Sequence, residues 1–227
     1  MSNREQRTGI NRRDFIRTAA LGGGALFLFG TQGCLRAIRT GGGDGKTYSM
    51  IVVDYTKCTG CRTCEAVCAA HNHPVTVDGI SMPGLGNPNL GYIQVHSYNP
   101  DVDVAAVCAM CPDAPCIAAC PVERNEISGR KALFRDPVVG TIVNDPARCI
   151  GCGSCIEHCR VGVLRVNSDT GGPERMCTLC GGDPQCVKHC PYGALSYVTV
   201  DTSRPYYGMT PDDIADALAR QWYGVGV

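Results

Sequence analysis

The sequence predicts an α+β protein built from one small unit that occurs four times. Each unit reads as a strand, a cysteine-containing loop, a helical turn and a second strand. The cysteines are the second observation: sixteen of the seventeen fall into four closely spaced quartets, and only Cys34 is left over. Composition is the third, because Phe, Trp and Tyr make up 6% of the chain. That is a thin supply for an apolar core, so the fold is expected to depend on what the cysteines bind.

The quartets share a spacing that indicates a particular ligand. In the first, gaps of two, two and three residues separate the cysteines, and the second and fourth widen the middle gap to four and five residues. The quartets are Cys58, Cys61, Cys64, Cys68; Cys108, Cys111, Cys116, Cys120; Cys149, Cys152, Cys155, Cys159; and Cys177, Cys180, Cys186, Cys190. A short loop can place three such thiolates around one inorganic group, while the fourth thiolate points away from that group. That is the pattern of paired [4Fe–4S] clusters, in which the fourth cysteine serves the other cluster of the pair.

Two alternatives explain cysteine-rich sequences in general. Disulfides are typical of exported chains, but cysteines two residues apart on a tight loop bridge poorly, and four similar quartets are not a usual disulfide pattern. Zinc binds paired Cys-x-x-Cys motifs, but it does not require a third and a fourth cysteine at these spacings. The closing pairs Cys120-Pro121 and Cys190-Pro191 also favour iron–sulfur ligation. We therefore predict four [4Fe–4S] clusters and doubled bacterial-ferredoxin-like modules with loop insertions.

The first 34 residues have the features of a targeting segment. Arg12 and Arg13 precede Asp14-Phe15-Ile16, which resembles the twin-arginine export motif, and an apolar run from Ala19 to Gly30 follows. This run is too short and too weakly apolar for a membrane span, and none is expected in the mature chain. Gly33-Cys34 leaves lipidation open. The prediction is export to the periplasm or to the outer face of the cytoplasmic membrane.

The remaining chain divides into a linker, two modules and a tail. Residues 35–47 form a Gly-rich linker, and 48–204 form the four-cluster region. An outer module of 48–73 plus 170–204 encloses an inner module of 99–167. The tail, 205–227, contains a helix that begins at Thr210-Pro211 and carries an apolar stripe of Ile214, Leu218 and Trp222. Such a stripe packs on its own domain or docks on a partner, and docking is the prediction here.

Two segments show little regular pattern, and the sequence lacks the motifs of several common chemistries. Residues 74–91 show no regular pattern, and 122–148 read as a polar excursion ending in a strand from Val138 to Val143. The chain has no phosphate-binding Gly-rich loop, no Ser-His-Asp set and no HExxH motif. With 21 basic and 21 acidic residues it has a formal net charge of zero, and without a basic stripe no nucleic-acid partner is expected. The basic residues that flank ligands, and should raise cluster potentials, are Lys57, Arg62, Arg148, Arg160, Arg175 and Lys188.

The four quartets, in this order, resemble the iron–sulfur subunit of the dimethyl sulfoxide reductase family of complexes. The resemblance covers roughly residues 50 to 200, including Cys149-Ile-Gly-Cys152-Gly-Ser-Cys155 and the closing Cys190-Pro191-Tyr192-Gly193-Ala194. Arg160 departs from the pattern, because it replaces the proline expected after Cys159. The resemblance implies an electron relay between a molybdenum or tungsten pterin catalytic subunit and a membrane anchor, cytochrome or soluble carrier. A hydrogenase or tungsten aldehyde oxidoreductase-type partner stays open.

The residues alone leave open which quartets share clusters. The 17 residues between the third and fourth quartets suit adjacent pairing, as in a simple two-cluster ferredoxin. The resemblance implies nesting, and we adopt it because the insertion 74–107 separates the first quartet from the second. Nesting gives the ligand sets Cys58, Cys61, Cys64, Cys190; Cys177, Cys180, Cys186, Cys68; Cys108, Cys111, Cys116, Cys159; and Cys149, Cys152, Cys155, Cys120.

The predicted function is one-electron transfer without bond making on this chain. Every cluster would have four thiolates, so no iron is left to bind a substrate, and no catalytic residue is predicted. Two other classes remain as alternatives. One is a redox-silent structural module that binds zinc, and the other is a self-contained reductase.

Overall fold

The computed structural model describes residues 47–227, and the leader and most of the linker lie outside this range. Its strands are β1 Ser49–Val53, β2 Val75–Val77, β3 Ile80–Met82, β4 Gln94–Tyr98, β5 Val102–Ala106, β6 Leu133–Arg135, β7 Ile142–Asn144, β8 Arg165–Val166, β9 Pro173–Glu174 and β10 Leu195–Thr199. The α-helices are α1 Thr63–Asn72, α2 Pro115–Ala118, α3 Ser154–Glu157, α4 Gln185–Lys188 and α5 Pro211–Tyr223. Short strands and short helices confirm the predicted α+β class.

The strands pair two by two, and one pairing joins the ends of the cysteine region. In residues 47–227 there are five two-stranded antiparallel sheets. In four of them consecutive strands pair, but β1 pairs with β10, from Ser49 opposite Thr199 to Val53 opposite Leu195. The strand that precedes the first quartet therefore lies beside the strand that follows the fourth.

Each quartet delivers its third cysteine to a helix. Cys64, Cys116, Cys155 and Cys186 lie in α1, α2, α3 and α4, respectively. Three of these helices have four residues, so they contribute one turn and not a packing face. Only α1 continues for ten residues, and it also carries Cys68. The helices therefore act mainly as supports for thiols.

Two segments differ from the sequence prediction. Residues 74–91 were expected to lack regular structure, but they contain the β2–β3 hairpin and a 3₁₀ turn at Pro88–Leu90. The hairpin turns at Asp78-Gly79, where both residues have positive φ, 51° and 77°, as a two-residue type I′ turn requires. The strand expected from Val138 to Val143 is a hairpin instead: β6 pairs with β7, and Val138 lies in the turn between them.

The apolar side chains form several small clusters and not one large core. The largest contains Met50, Ile51, Ile93 and Leu195 together with buried cysteines. A second surrounds Leu133 and Leu164, again with cysteines. This distribution follows from the composition, because few large apolar residues are available to fill the space between loops.

Helix α5 packs against this chain. Thr210 caps its N-terminus by accepting the Asp213 amide at 3.2 Å, and Pro211 occupies the first turn, as predicted. Ile214 and Leu218 are buried against Val102 and Val104 of β5. Trp222, the third residue of the stripe, is 39% exposed. Ile214 and Leu218 therefore pack on the chain's own domain, which is the alternative to the docking predicted from the sequence.

Candidate iron–sulfur sites

The cysteines assemble into four groups that we name set A to set D. Within each set, the thiols lie near enough to interact electrostatically. Set A is Cys58, Cys61, Cys64 and Cys190; set B is Cys68, Cys177, Cys180 and Cys186; set C is Cys108, Cys111, Cys116 and Cys159; set D is Cys120, Cys149, Cys152 and Cys155. Every set takes three cysteines from one quartet and the fourth from another. This grouping is that of the nested pairing.

Three of the sets surround a cavity. All four thiols of set C line a cavity of about 400 Å³, including its open mouth, and the corresponding volumes for sets D and A are about 380 and 340 Å³. Apolar residues such as Ile142, Leu164 and Leu195 complete the walls. Three thiols of set B, Cys68, Cys177 and Cys186, are buried in the largest apolar cluster. The linings thus offer thiols from several sides and few competing polar groups.

The four loops share a backbone conformation at one position. The residue before the second cysteine has a left-handed φ in every quartet: 64° at Gly60, 51° at Met110, 65° at Gly151 and 50° at Leu179. Glycine adopts this conformation without steric cost, whereas Met and Leu do not. Met110 and Leu179 are almost completely buried, so packing compensates the strain there. At position 60 a Cβ would also lie 2.1 Å from Asp103 Oδ2, so the Asp103 side chain would have to move to accommodate it.

Backbone amides point at several sulfurs. The Tyr92, Leu179 and Ala194 N–H groups donate to the Sγ atoms of Cys68, Cys177 and Cys190 at 3.3, 3.4 and 3.3 Å. Such hydrogen bonds stabilise the negative charge of a metal-bound thiolate. The loops therefore offer both the sulfur ligands and the donors that a negatively charged cluster needs.

Burial raises the pKa of several thiols in sets A, B and C. Burial and neighbouring thiols raise the pKa of Cys64 and Cys186 to about 12, and burial raises the pKa of Cys108 to about 12. Burial also raises the pKa of Cys177 well above its ordinary value. Buried thiols with a raised pKa are poor nucleophiles at neutral pH. A metal deprotonates a coordinating thiol outright, so their chemistry fits a role as ligands.

Among the sixteen quartet cysteines two are exposed, Cys61 and Cys152, and each lies two residues before a hydroxyl residue. Cys61 Sγ is 3.4 Å from Thr63 Oγ1, and Cys152 Sγ is 3.5 Å from Ser154 Oγ. At Cys61, burial raises the thiol pKa, but hydrogen bonds from Thr63 and Thr59 outweigh it and the pKa is lowered. The Ser154 hydroxyl and backbone lower the pKa of Cys152. Sets A and D thus each present one thiol to the surface.

Electrostatic interactions between thiols connect the sets in one order. Cys64 of set A interacts with Cys186 of set B. Cys177 of set B interacts with Cys108 of set C. Cys116 of set C interacts with Cys155 of set D. The four sets therefore form a series in which sets B and C lie between sets A and D.

The sulfur positions suit four-iron clusters better than single ions. No group of three or more His, Cys, Asp or Glu side chains in residues 47–227 is arranged to hold one metal ion. A Cys₄ zinc site needs four sulfurs about 2.3 Å from one ion. A four-iron cluster binds each cysteine at a different iron, so its thiols need not converge on a point.

Sequence reasoning missed one structural support of set A. Glu65, between Cys64 and Cys68, is completely buried, and its Oε1 accepts the Val95 amide at 2.6 Å. Arg62 donates to its other oxygen at 2.5 Å. Glu65 thus fastens the start of α1 to β4, and removing Arg62 would leave the buried Glu65 carboxyl without its basic partner. The available signal was an acid between two ligand positions of one helix.

The fold and these thiol sets define an iron–sulfur protein of the ferredoxin-like class. Comparison with known proteins agrees with this class. The model of the 4Fe-4S dicluster domain matches residues 102–200. The polyferredoxin-like subunit of aliphatic sulfonate oxidoreductase from Pyrococcus furiosus is 32% identical over 180 residues, which cover 77% of this chain and 92% of that one.

Two relatives from Escherichia coli extend the comparison. Electron transport protein HydN is 31% identical over 173 residues, covering 68% of this chain and 89% of HydN. The formate dehydrogenase-O iron–sulfur subunit is 26% identical over 193 residues, covering 78% of this chain and 60% of that subunit. The chain belongs to the family of iron–sulfur electron-transfer proteins that includes the polyferredoxin-like subunit and HydN. It is an iron–sulfur electron-transfer subunit of oxidoreductase complexes and not a catalytic subunit.

Proposed function

We propose that the chain relays single electrons through four [4Fe–4S] clusters held by sets A to D. In this proposal each cluster has three ligands from one quartet and a fourth from another quartet. The fourth ligand is Cys190 in set A, Cys68 in set B, Cys159 in set C and Cys120 in set D. A [4Fe–4S] cluster supplies reversible one-electron chemistry when it is bound. The observation that carries the proposal is the single series of thiol sets, in which each end set, A and D, has one exposed cysteine, Cys61 and Cys152.

The residues of the chain have two tasks in this relay. Buried walls such as those around Cys108 and Cys177 keep water from the inner sets, and low solvent exposure is one of the factors that set cluster potentials. Amide donors to Cys68, Cys177 and Cys190 stabilise added negative charge. Since Cys61 and Cys152 reach the surface, electrons are proposed to enter beside one and leave beside the other.

The proposed partner is the catalytic subunit of an oxidoreductase of the molybdenum or tungsten pterin type, as in the dimethyl sulfoxide reductase family. Support comes from relatives named as subunits of formate dehydrogenase-O and aliphatic sulfonate oxidoreductase. The other end would serve a membrane anchor, a cytochrome or a soluble carrier. A hydrogenase or tungsten aldehyde oxidoreductase-type complex is the second candidate. No helix among residues 47–227 is long and apolar enough to cross a membrane.

We further propose that the chain works at the periplasmic side, after export by the twin-arginine route. The support is the Arg12-Arg13 pair followed by the apolar run Ala19 to Gly30. These residues lie outside the part of the chain that the structure describes.

Metal analysis tests the cluster count. Anaerobically purified protein should contain about sixteen irons and sixteen sulfides per chain, four of each per cluster. Stoichiometric zinc without iron–sulfur absorption would instead support the redox-silent module. About eight irons would mean that only two of the four sets bind clusters, and the relay would then need another route across the molecule.

A further inference from the structure

The segment after β10 passes over set C. Tyr207 packs in one apolar cluster with Cys108, Cys111 and Cys159. The next residue, Gly208, approaches Arg160 so closely that a Cβ would lie 2.7 Å from its Cδ. The matched 4Fe-4S dicluster domain ends at residue 200, so this contact comes from beyond the matched region.

The Tyr207 hydroxyl is buried without a satisfied partner. Its oxygen is inaccessible to solvent and makes no hydrogen bond of good geometry within the described residues. The acceptor within its reach is the sulfur of Cys111. A phenol hydroxyl is a hydrogen-bond donor at neutral pH. A buried unpaired hydroxyl is costly, and a metal-bound thiolate at Cys111 would satisfy it.

A charged pair lies beside the same sulfur. Arg160 stands at the position where proline follows Cys120 and Cys190 in the second and fourth quartets. Its Nη2 atom donates to Asp113 Oδ2 at 2.7 Å, and its guanidinium interacts electrostatically with Cys111. Arg160 also lines the set C cavity.

We propose that Tyr207 and Arg160 raise the reduction potential of the cluster in set C, and that Asp113 partly offsets Arg160. This inference rests on the proposed function, because it requires a cluster bound by Cys111. Reduction adds one electron, and therefore one negative charge, to the cluster. A hydrogen bond to a ligand sulfur and a nearby positive charge both stabilise that charge. The two residues are positioning residues, since they act through Cys111.

Burial ranks the two contributions. The side chains of Arg160 and Asp113 are 43% and 57% exposed, so water and salt screen their field. The Tyr207 hydroxyl is buried, where a hydrogen bond is electrostatically stronger. Tyr207→Phe should therefore shift the potential more than Arg160→Gln, and only the Arg160 effect should weaken at high ionic strength.

The test is a redox titration of the full holoprotein followed by electron paramagnetic resonance. The set C signal is first assigned with Cys116→Ser, because Cys116 belongs to the same set and is not the thiol that Tyr207 approaches. Tyr207→Phe and Arg160→Gln should then shift its midpoint to more negative values, and Asp113→Asn should shift it to more positive values. Tyr206→Phe is the matched control, because that hydroxyl bonds Gln221 Oε1 at 3.2 Å and not a thiol. Arg220→Gln is the control for Arg160→Gln, because it removes an arginine from a different ion pair, the one with Asp216.

The outcomes separate the inference from the proposed function. A set C midpoint that stays unchanged in Tyr207→Phe overturns the inference, and so does an equal shift in Tyr206→Phe. Loss of the set C signal together with iron would make Tyr207 a structural anchor and would also overturn tuning. The iron and sulfide content of the unchanged protein tests the cluster count independently of all these variants.

Discussion

At the scale of residues, the cysteine spacing predicts the thiols but not all of the geometry that presents them. Gly60 and Gly151 are recognisable in the sequence as loop glycines. Met110 and Leu179 occupy the same left-handed position in the other two quartets, and nothing local indicates it. Their conformation is held by burial within the tertiary structure, which a local pattern does not encode. The Tyr207–Cys111 approach and the Glu65–Val95 hydrogen bond were missed for the same reason, because each joins residues that are distant in sequence.

Cys190→Ser tests the nested ligand sets directly. Cys190 lines the cavity of set A together with Cys58, Cys61 and Cys64, so the substitution should perturb the paramagnetic signal of the set A cluster. The measurement is electron paramagnetic resonance, after each signal has been assigned with one cysteine variant per quartet. Cys34→Ser, which changes the one cysteine outside the quartets, is the control and should alter no signal. Movement of the signal that belongs to Cys149, Cys152 and Cys155 would instead favour adjacent pairing.

At the scale of elements, helix caps and glycine-containing turns are the features of the sequence that indicate secondary structure. Thr210-Pro211 marks the start of α5 correctly, and Asp78-Gly79 between alternating apolar residues is a hairpin signal that the sequence analysis overlooked. The apolar stripe of α5 does not predict which surface the helix covers. An amphipathic pattern shows that one face is buried but not what buries it, and here Val102 and Val104 of β5 cover Ile214 and Leu218.

Leu218→Ala tests the packing of α5. Leu218 is 2% exposed, so its truncation should destabilise the protein by about 2–5 kcal/mol. The thermal midpoint of the holoprotein should fall by roughly 2–4 °C for each kcal/mol, while the iron content stays unchanged at low temperature. Trp222→Ala, at the exposed end of the stripe, should cost less. If Leu218→Ala leaves the midpoint unchanged but releases a partner subunit, the stripe is a docking surface and its burial against β5 is not important for stability.

At the scale of the whole molecule, the borrowed cysteines tie distant parts of the chain together. Each set joins two quartets, and β1 pairs with β10 across almost the full described length. The apolar clusters are small and contain cysteine side chains among their members. Metal binding to such a chain contributes directly to folding. The protein is therefore expected to reach its folded state only after its clusters have been inserted.

This dependence gives the leader a physical rationale and a sharp test. The twin-arginine route carries folded proteins, so a chain that acquires clusters in the cytoplasm could cross the membrane with them in place. Replacing both Arg12 and Arg13 by Lys should leave the protein in the cytoplasm with its visible iron–sulfur absorption intact. Fractionation into periplasm and cytoplasm, with iron analysis of each fraction, is the measurement. Arg17→Lys is the matched control, because it changes an arginine of the same leader outside the pair and should not reduce export. An unchanged periplasmic yield of the double variant would show that the pair is not the export signal. Cytoplasmic protein without iron would contradict cluster insertion before export.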